Sequence, residues 1–250
     1  MSSDFLLCLD FDGVICDSIR ECLASSWIAY HRLVKNDTPD RVPVRLQADF
    51  AALRPFIRSG EDYVLIQEIL DRDWEVREQA DFDRLLAGAG NGTMERYKEL
   101  FYRARGDLLA RHRAYWLSLN RVYPHMREPL RGLASHDRLH IVSTKRSDFI
   151  VSILAADGIE FTPERVHYSS ARGKPGLVSE ILDASGVERA VFVDDQIDHL
   201  TGGGWRDGVE RLLAAWGYVK PEWLGGGTGI NVIDPEGMGR LFERFRGCGG

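Results

Sequence analysis

Cysteine is scarce in this chain, with four among 250 residues, at Cys8, Cys16, Cys22 and Cys248. Their spacing is not that of metal-ligand pairs, so reduced thiols in a cytoplasmic protein are expected. Long apolar runs are also missing. None approaches the ~20 residues that a membrane-spanning helix requires, and no membrane partner is expected. The first residues lack the cationic start, apolar run and cleavage site of a signal peptide. Excess positive charge is absent too: 32 Lys and Arg face 38 Asp and Glu, for a net charge of −6. That balance argues against a general nucleic-acid binder, which carries a basic face. It leaves room for a small anionic substrate, because a local cluster can oppose the global sign. What is present is ordinary for a globular protein, with 44% hydrophobic and 28% charged residues. A chain of 250 residues suits one sizeable domain, or a core domain with an insertion.

Short apolar runs at Phe5–Leu9, Leu139–Val142, Ala190–Val193 and Leu212–Ala215 read as buried parallel strands, with Val166–Tyr168 and Ile230–Ile233 as further candidates. Helical patterns at Phe149–Ala156 and Leu177–Ala184 separate them, with Gly158 and Gly186 as C-terminal stops. This alternation predicts an α/β fold: a Rossmann-like open parallel sheet covered on both faces. Ligands in such sheets bind beyond the carboxyl ends of the strands. Between Ser18 and Pro129 the alternation stops. The expected elements there are helices at Leu46–Ile57, Asp62–Leu70 and Met94–Leu119, with no convincing strand. Ser18 with Glu21 fits a capping box for the first helix, and Gly88–Gly92 reads as a loop. The expected organisation is therefore a Rossmann-like core of residues 1–17 and 130–250 with a helical cap at 18–129. Gly202–Gly204 and Gly225–Gly227 read as loops, without the spacing of a dinucleotide site.

The first strand runs into Asp10-Phe11-Asp12-Gly13. In an extended backbone, residues two apart face the same side, so both carboxylates can enter one crevice before Gly13 turns the chain away. The tripeptide alone proves little, because Asp81-Phe82-Asp83 repeats it after a polar run and reads as two solvated loop acids. Three more signals fall at matching places. Ser143-Thr144 end the second long strand, where a hydroxyl and adjacent N–H groups can donate to a phosphoryl oxygen. Lys174 stands between Gly173 and Pro175 ahead of a helix. Asp194-Asp195 close a third strand and can bind a hard cation directly or through water.

In this order the four signals resemble the motifs of the haloacid dehalogenase superfamily of phosphotransferases, across nearly the whole chain. Tyr123-Pro124, Gly173-Lys174-Pro175 and Trp216-Gly217-Tyr218 extend the likeness, which is closest to phosphoglycolate phosphatase-like members with a helical cap between the first and second motifs. The resemblance implies that Asp10 attacks phosphorus to form an aspartyl-phosphate. Asp12 then serves as general acid and base, while Ser143 and Lys174 stabilise the transferring group. It also implies Mg2+ on Asp10, the Asp12 carbonyl and the pair Asp194 and Asp195, with Gly13 and Thr144 beside the substrate.

Asp12 favours phosphate-ester hydrolysis over dehalogenation, which has no leaving alkoxide to protonate. A phosphosugar mutase is the alternative within the superfamily, disfavoured because Cys22 stands where mutases carry a histidine. A catalytically idle binding or scaffold protein is the alternative of another class. The expected partner is a small phosphorylated metabolite. Arg54 and Arg58, four apart, could share a helical face and recognise a carboxylate or phosphate. Trp27, Trp74 and Trp116 are expected to be cap core.

Overall fold

Apolar runs buried on both faces have one stable arrangement, a parallel sheet between helices, because each backbone N–H and C=O must find a partner away from water. The computed structural model describes residues 4–37, 42–169 and 173–247; Cys248 lies outside them. In chain order the strands are β1 (Leu6–Leu9), β2 (Cys16–Asp17), β3 (Arg121–Val122), β4 (Leu139–Ser143), β5 (Val166–Tyr168), β6 (Ala190–Asp194), β7 (Val209–Ala214) and β8 (Asn231–Ile233). Six form one sheet of order β5-β4-β1-β6-β7-β8, with every neighbouring pair parallel. This is the expected α/β, Rossmann-like core. The chain runs from β1 through β4 to β5 on one side, then crosses to β6, β7 and β8 on the other, which makes the crevice beside the carboxyl end of β1 a topological switch point. Register then fixes what emerges there: Leu9 pairs with Ile141 on one side and Val193 on the other.

The chain divides into two compact units, one of Met1–Asp17 with Arg121–Gly250 and one of Ser18–Asn120. The change falls at Asn120, whereas residue 129, the expected limit of the cap, lies inside the helix Pro124–Leu133. In the first unit, β2 and β3 pair antiparallel where the chain leaves and returns. A strand therefore lies within a stretch expected to hold none; at two residues it is too short to leave a period-two pattern. The helices Ser147–Ala156 and Gly173–Ser185 flank the sheet's strands in sequence, and Gly158 and Gly186 follow their ends as expected. One face of the sheet packs Leu6, Val142, Phe192 and Leu213 against Val178, Ile181 and Leu182 of the second of these helices.

The second unit is helical. Its core joins Phe50, Tyr63, Val64, Ile66 and Phe101, with Tyr63 stacked on Phe101 at 5.3 Å between ring centroids. Full burial of each such side chain stabilises by about 1.5–3 kcal/mol. Its helix bounds differ from expectation where local signals competed. Gly88 lies inside the helix Gln79–Ala89 and Gly92 inside Asn91–Arg111, so Gly90 alone separates them. The single helix expected over Met94–Leu119 breaks at His112 before a short helix, Arg113–Ser118. Asp81 is not a loop acid: it completes a capping box with Glu78 at the start of the helix Gln79–Ala89.

The Ser18–Glu21 capping box does not form, because a tertiary partner takes the glutamate. Glu21 is fully buried and accepts from Arg105 Nε at 2.9 Å and Nη2 at 2.7 Å, from Ser25 Oγ at 2.6 Å and from Trp116 Nε1 at 3.1 Å. Of the three tryptophans, Trp116 alone is fully buried. Trp27 is half-buried against His31, and Trp74 is exposed beneath the Arg72 guanidinium.

Candidate active site

Asp10 leaves β1 with its N–H donating to the Val193 carbonyl, and β6 delivers Asp194 and Asp195 beside it. One carboxylate oxygen from each of the three residues lies within 4.8 Å of the others, and all three residues are buried. Lys174, in the first turn of the helix Gly173–Ser185, reaches between two of them: its Nζ is 2.9 Å from Asp10 Oδ2 and 2.7 Å from Asp194 Oδ2. An ammonium this deeply buried requires such partners, since desolvating a lone charge costs several kcal/mol.

The electrostatics separate the acids. Burial pushes the Asp10 carboxyl above its ordinary range; Lys174 opposes that shift and the Asp194 charge adds to it. Burial would raise Asp194 too, but Lys174 and His199 outweigh it and hold this carboxyl well below the usual range. For Lys174, burial favours the neutral amine, yet Asp10 and Asp194 prevail and keep it an ammonium. Asp194 is further fixed by the Gln196 N–H at 2.9 Å and by His199 Nδ1 at 3.1 Å.

Asp12 follows a different course. After Asp10 the backbone tightens at Gly13, whose φ of +85° suits a residue without a side chain. The Asp12 carboxylate stands outside the three-acid group and accepts from Lys145 Nζ at 2.8 Å. Lys145 comes from the end of β4, where its N–H donates to Ser143 Oγ at 3.3 Å. Ser143 is buried, and Thr144 is exposed beside it. Asp10, Ser143, Lys174, Asp194 and Asp195 thus belong to the carboxyl ends of adjacent parallel strands or to the helix facing them, all within the first unit.

The residues present fit a hard divalent cation. Three buried carboxylates offer oxygen ligands, and Lys174 offsets part of their charge. Among the described residues, the buried Asp10 Oδ1 has no hydrogen-bond partner. The Asp12 side chain stands apart from this group and is engaged by Lys145.

Arg54 and Arg58 belong to the second unit and do not share a helical face. The helix Arg45–Leu53 ends in a tight turn at Arg54–Phe56, and Ile57 is extended. Pro55, with no N–H to donate, cannot continue the helical ladder. Arg54 is buried against the Tyr63 ring. Arg58 donates to the carbonyls of Pro55 and Ile57 and to Gln79 Oε1.

Two neighbours of these acids escaped the sequence reading, Lys145 and His199, whereas the turn Trp216–Tyr218 entered it only as part of the likeness, with no contact to the acids foreseen. Lys145 directly follows the second motif, a position that could have singled it out. His199 lies five residues beyond Asp194, the third residue of the short helix Ile197–Thr201, and nothing local marks it.

No protein-family model matches the chain, and no curated protein matches it. Solved structures do. A haloacid dehalogenase-like hydrolase from Streptococcus pneumoniae superposes with a TM-score of 0.60 at 16% identity, covering 97% of this chain and all of the other. A predicted phosphoglycolate phosphatase from Haemophilus somnus gives 0.61 at 16% identity, over 96% of this chain and 99% of the other. A hydrolase from Pseudomonas syringae gives 0.58 at 15% identity, over 96% and 98%. At these identities it is the fold that is shared. This chain has the haloacid dehalogenase-like fold.

Proposed function

We propose that the protein is a Mg2+-dependent phosphatase that hydrolyses a small phosphate monoester through an aspartyl-phosphate on Asp10. One observation carries the reading. Asp10 is buried, held through one oxygen by Lys174 and bare at the other, while Asp12 two residues later is paired to a different lysine. Two carboxylates so close in sequence but so differently partnered suit two different chemical roles.

In this reading Asp10 Oδ1 attacks phosphorus and the ester oxygen departs. Asp12 supplies the proton that oxygen needs, then takes one from the water that cleaves the acyl phosphate. Lys174 orients Asp10 and balances the phosphoryl oxygens; Ser143 borders the same end of the sheet. Asp10, Asp194 and Asp195, with the Asp12 carbonyl, would hold Mg2+, which offsets the repulsion between carboxylates and a phosphate dianion when bound. The substrate is a small phosphorylated metabolite. A cytoplasmic setting accords with Cys8, Cys16 and Cys22, which are buried thiols outside any disulfide.

The test is turnover of an aryl phosphate and of a panel of phosphorylated metabolites with and without Mg2+. The panel includes 2-phosphoglycolate, because one structural neighbour is described as a predicted phosphatase for it. Asp10→Asn should abolish Mg2+-dependent turnover while leaving the circular dichroism spectrum intact. A folded wild type with no turnover on any ester would overturn the reading in favour of a binding role, and a variant near wild-type rate would overturn the choice of nucleophile.

A further inference from the structure

The turn after β7 makes more connections to the acid site than a strand connection requires. The Tyr218 N–H donates to Asp195 Oδ2 at 2.8 Å. The Tyr218 hydroxyl lies 2.9 Å from Asp17 Oδ1, at the end of β2. Trp216 Nε1 donates to the Val14 carbonyl at 3.0 Å, inside the turn that follows Asp12. The Trp216 ring also meets the edge of His125, with ring centroids 4.6 Å apart. Between Trp216 and Tyr218, Gly217 presses directly on the site. A Cβ there would stand 2.3 Å from Asp195 Cβ and 2.6 Å from the Gly13 carbonyl oxygen. From the other side, a Cβ on Gly13 would stand 2.1 Å from Asp195 Oδ2. Asp195 is thus gripped between two glycines, and a backbone N–H holds one of its oxygens.

We propose that Trp216, Gly217 and Tyr218 form a positioning clamp for the cation site, fixing the Asp195 carboxylate against the turn of Gly13 and Val14. The inference rests on the metal reading above and extends it to residues that pack on the Asp195 carboxylate. The physical argument is one of preorganisation. Adjacent acids at a strand end repel each other and rotate freely unless something holds them. A charge-assisted hydrogen bond from a backbone N–H sets one oxygen, and close packing on both sides removes the alternative rotamers. Asp194 is held by side chains, Lys174 and His199, as well as by the Gln196 N–H. For Asp195 this turn, which follows it by about two dozen residues, supplies such a restraint. Outer partners of metal ligands commonly govern affinity in this way, with losses of about 10–100-fold on mutation.

The test uses the full-length protein and Mg2+ alone as ligand. Thermal unfolding midpoints in EDTA and along a Mg2+ titration, with calorimetric titration beside them, give a Mg2+ Kd without recourse to activity. Gly217→Ala is expected to weaken Mg2+ by about 10–100-fold. Trp216→Phe, which keeps the ring and loses the bond to Val14, should weaken it by less. A merely structural turn would behave differently: midpoints in EDTA and in Mg2+ would fall together, leaving Kd unchanged. That result in both variants overturns the clamp, and Trp216→Phe decides alone should Gly217→Ala fail to fold. A wild type that shows no Mg2+ binding overturns the metal reading and the clamp with it. An active, Mg2+-binding wild type with indifferent variants overturns the clamp alone.

Discussion

Lys145 Nζ stands 2.8 Å from Asp12 Oδ1, across 133 residues of sequence, with the lysine side chain almost wholly buried and the aspartate partly exposed. The pair anchors the proposed acid–base group by one oxygen and leaves it near solvent. Lys174 anchors Asp10 in the same manner from another element. Two lysines thus divide two neighbouring carboxylates between them.

Lys145→Met should therefore slow turnover by more than about 10-fold, with the ~10²–10⁴-fold that general acid–base help contributes as the ceiling. The loss should be larger for an alkyl phosphate than for an aryl phosphate, whose leaving group needs little protonation. Single-turnover transfer rates with both esters check this. Equal losses would mean that Lys145 does not act through Asp12.

The two acids ending β6 should respond differently to removal. Asp195→Ala is expected to raise the Mg2+ concentration for half-maximal activity with little change in the unfolding midpoint of the metal-free protein. Asp194→Ala strips a partner from the buried Lys174 and should cost stability as well, on the order of 3 kcal/mol. EDTA should silence the wild type and added Mg2+ restore it. Metal titrations of activity alongside urea unfolding separate the two acids, and identical behaviour would refute the distinction.

In the helical unit, Glu21 and Arg105 form a buried ion pair completed by Ser25 and Trp116. Removing one partner leaves an uncompensated charge, so Arg105→Met should destabilise by about 3–5 kcal/mol. Adding Glu21→Gln should recover part of that loss. A double-mutant cycle in urea measures the coupling, which would vanish if the contact were incidental.

Stability should also fall on mild acidification through His140 and His167, whose rings meet at 3.0 Å between β4 and β5. Burial pushes His140 down to about 4, aided by His167 and Arg165, and burial lowers His167 as well. Both are more basic in the unfolded chain, near 6.5. Between those values the unfolded state binds more protons, so stability drops as pH falls from about 6.5 toward 4 and flattens below. His140→Gln should reduce the slope. Urea midpoints at pH 7 and pH 5 for both proteins provide the measurement, and parallel lines would exclude the pair.

Much of the sheet was legible because its determinants are local. The run Leu6–Leu9 needs burial on both faces whatever surrounds it, and the same holds for Leu139–Val142 and Ala190–Val193. Chain order and the right-handed crossover then leave few topologies, so strand ends carrying Asp10, Ser143 and Asp194 had to share one edge. Helix bounds were legible less well, for physical reasons seen at particular residues. Glu21 sits where a capping box would use it, yet Arg105, 84 residues away, offers a bidentate charged partner and wins. Glycine signalled a loop at Gly88–Gly92, but the helices on either side extend into it and leave only Gly90, at a φ of +78°, between them.

By itself the sequence determined which residue types arrive at the carboxyl edge of the sheet, because a strand's hydrophobicity and its terminal acids are written in consecutive positions. Only the tertiary structure decided how those acids are partnered: Asp10 and Asp194 with Lys174, Asp12 with Lys145, Asp195 with the turn at Gly217 and Tyr218. Those pairings depend on chain closure over tens to more than a hundred residues, and no local pattern encodes which cation or N–H closes on which carboxylate.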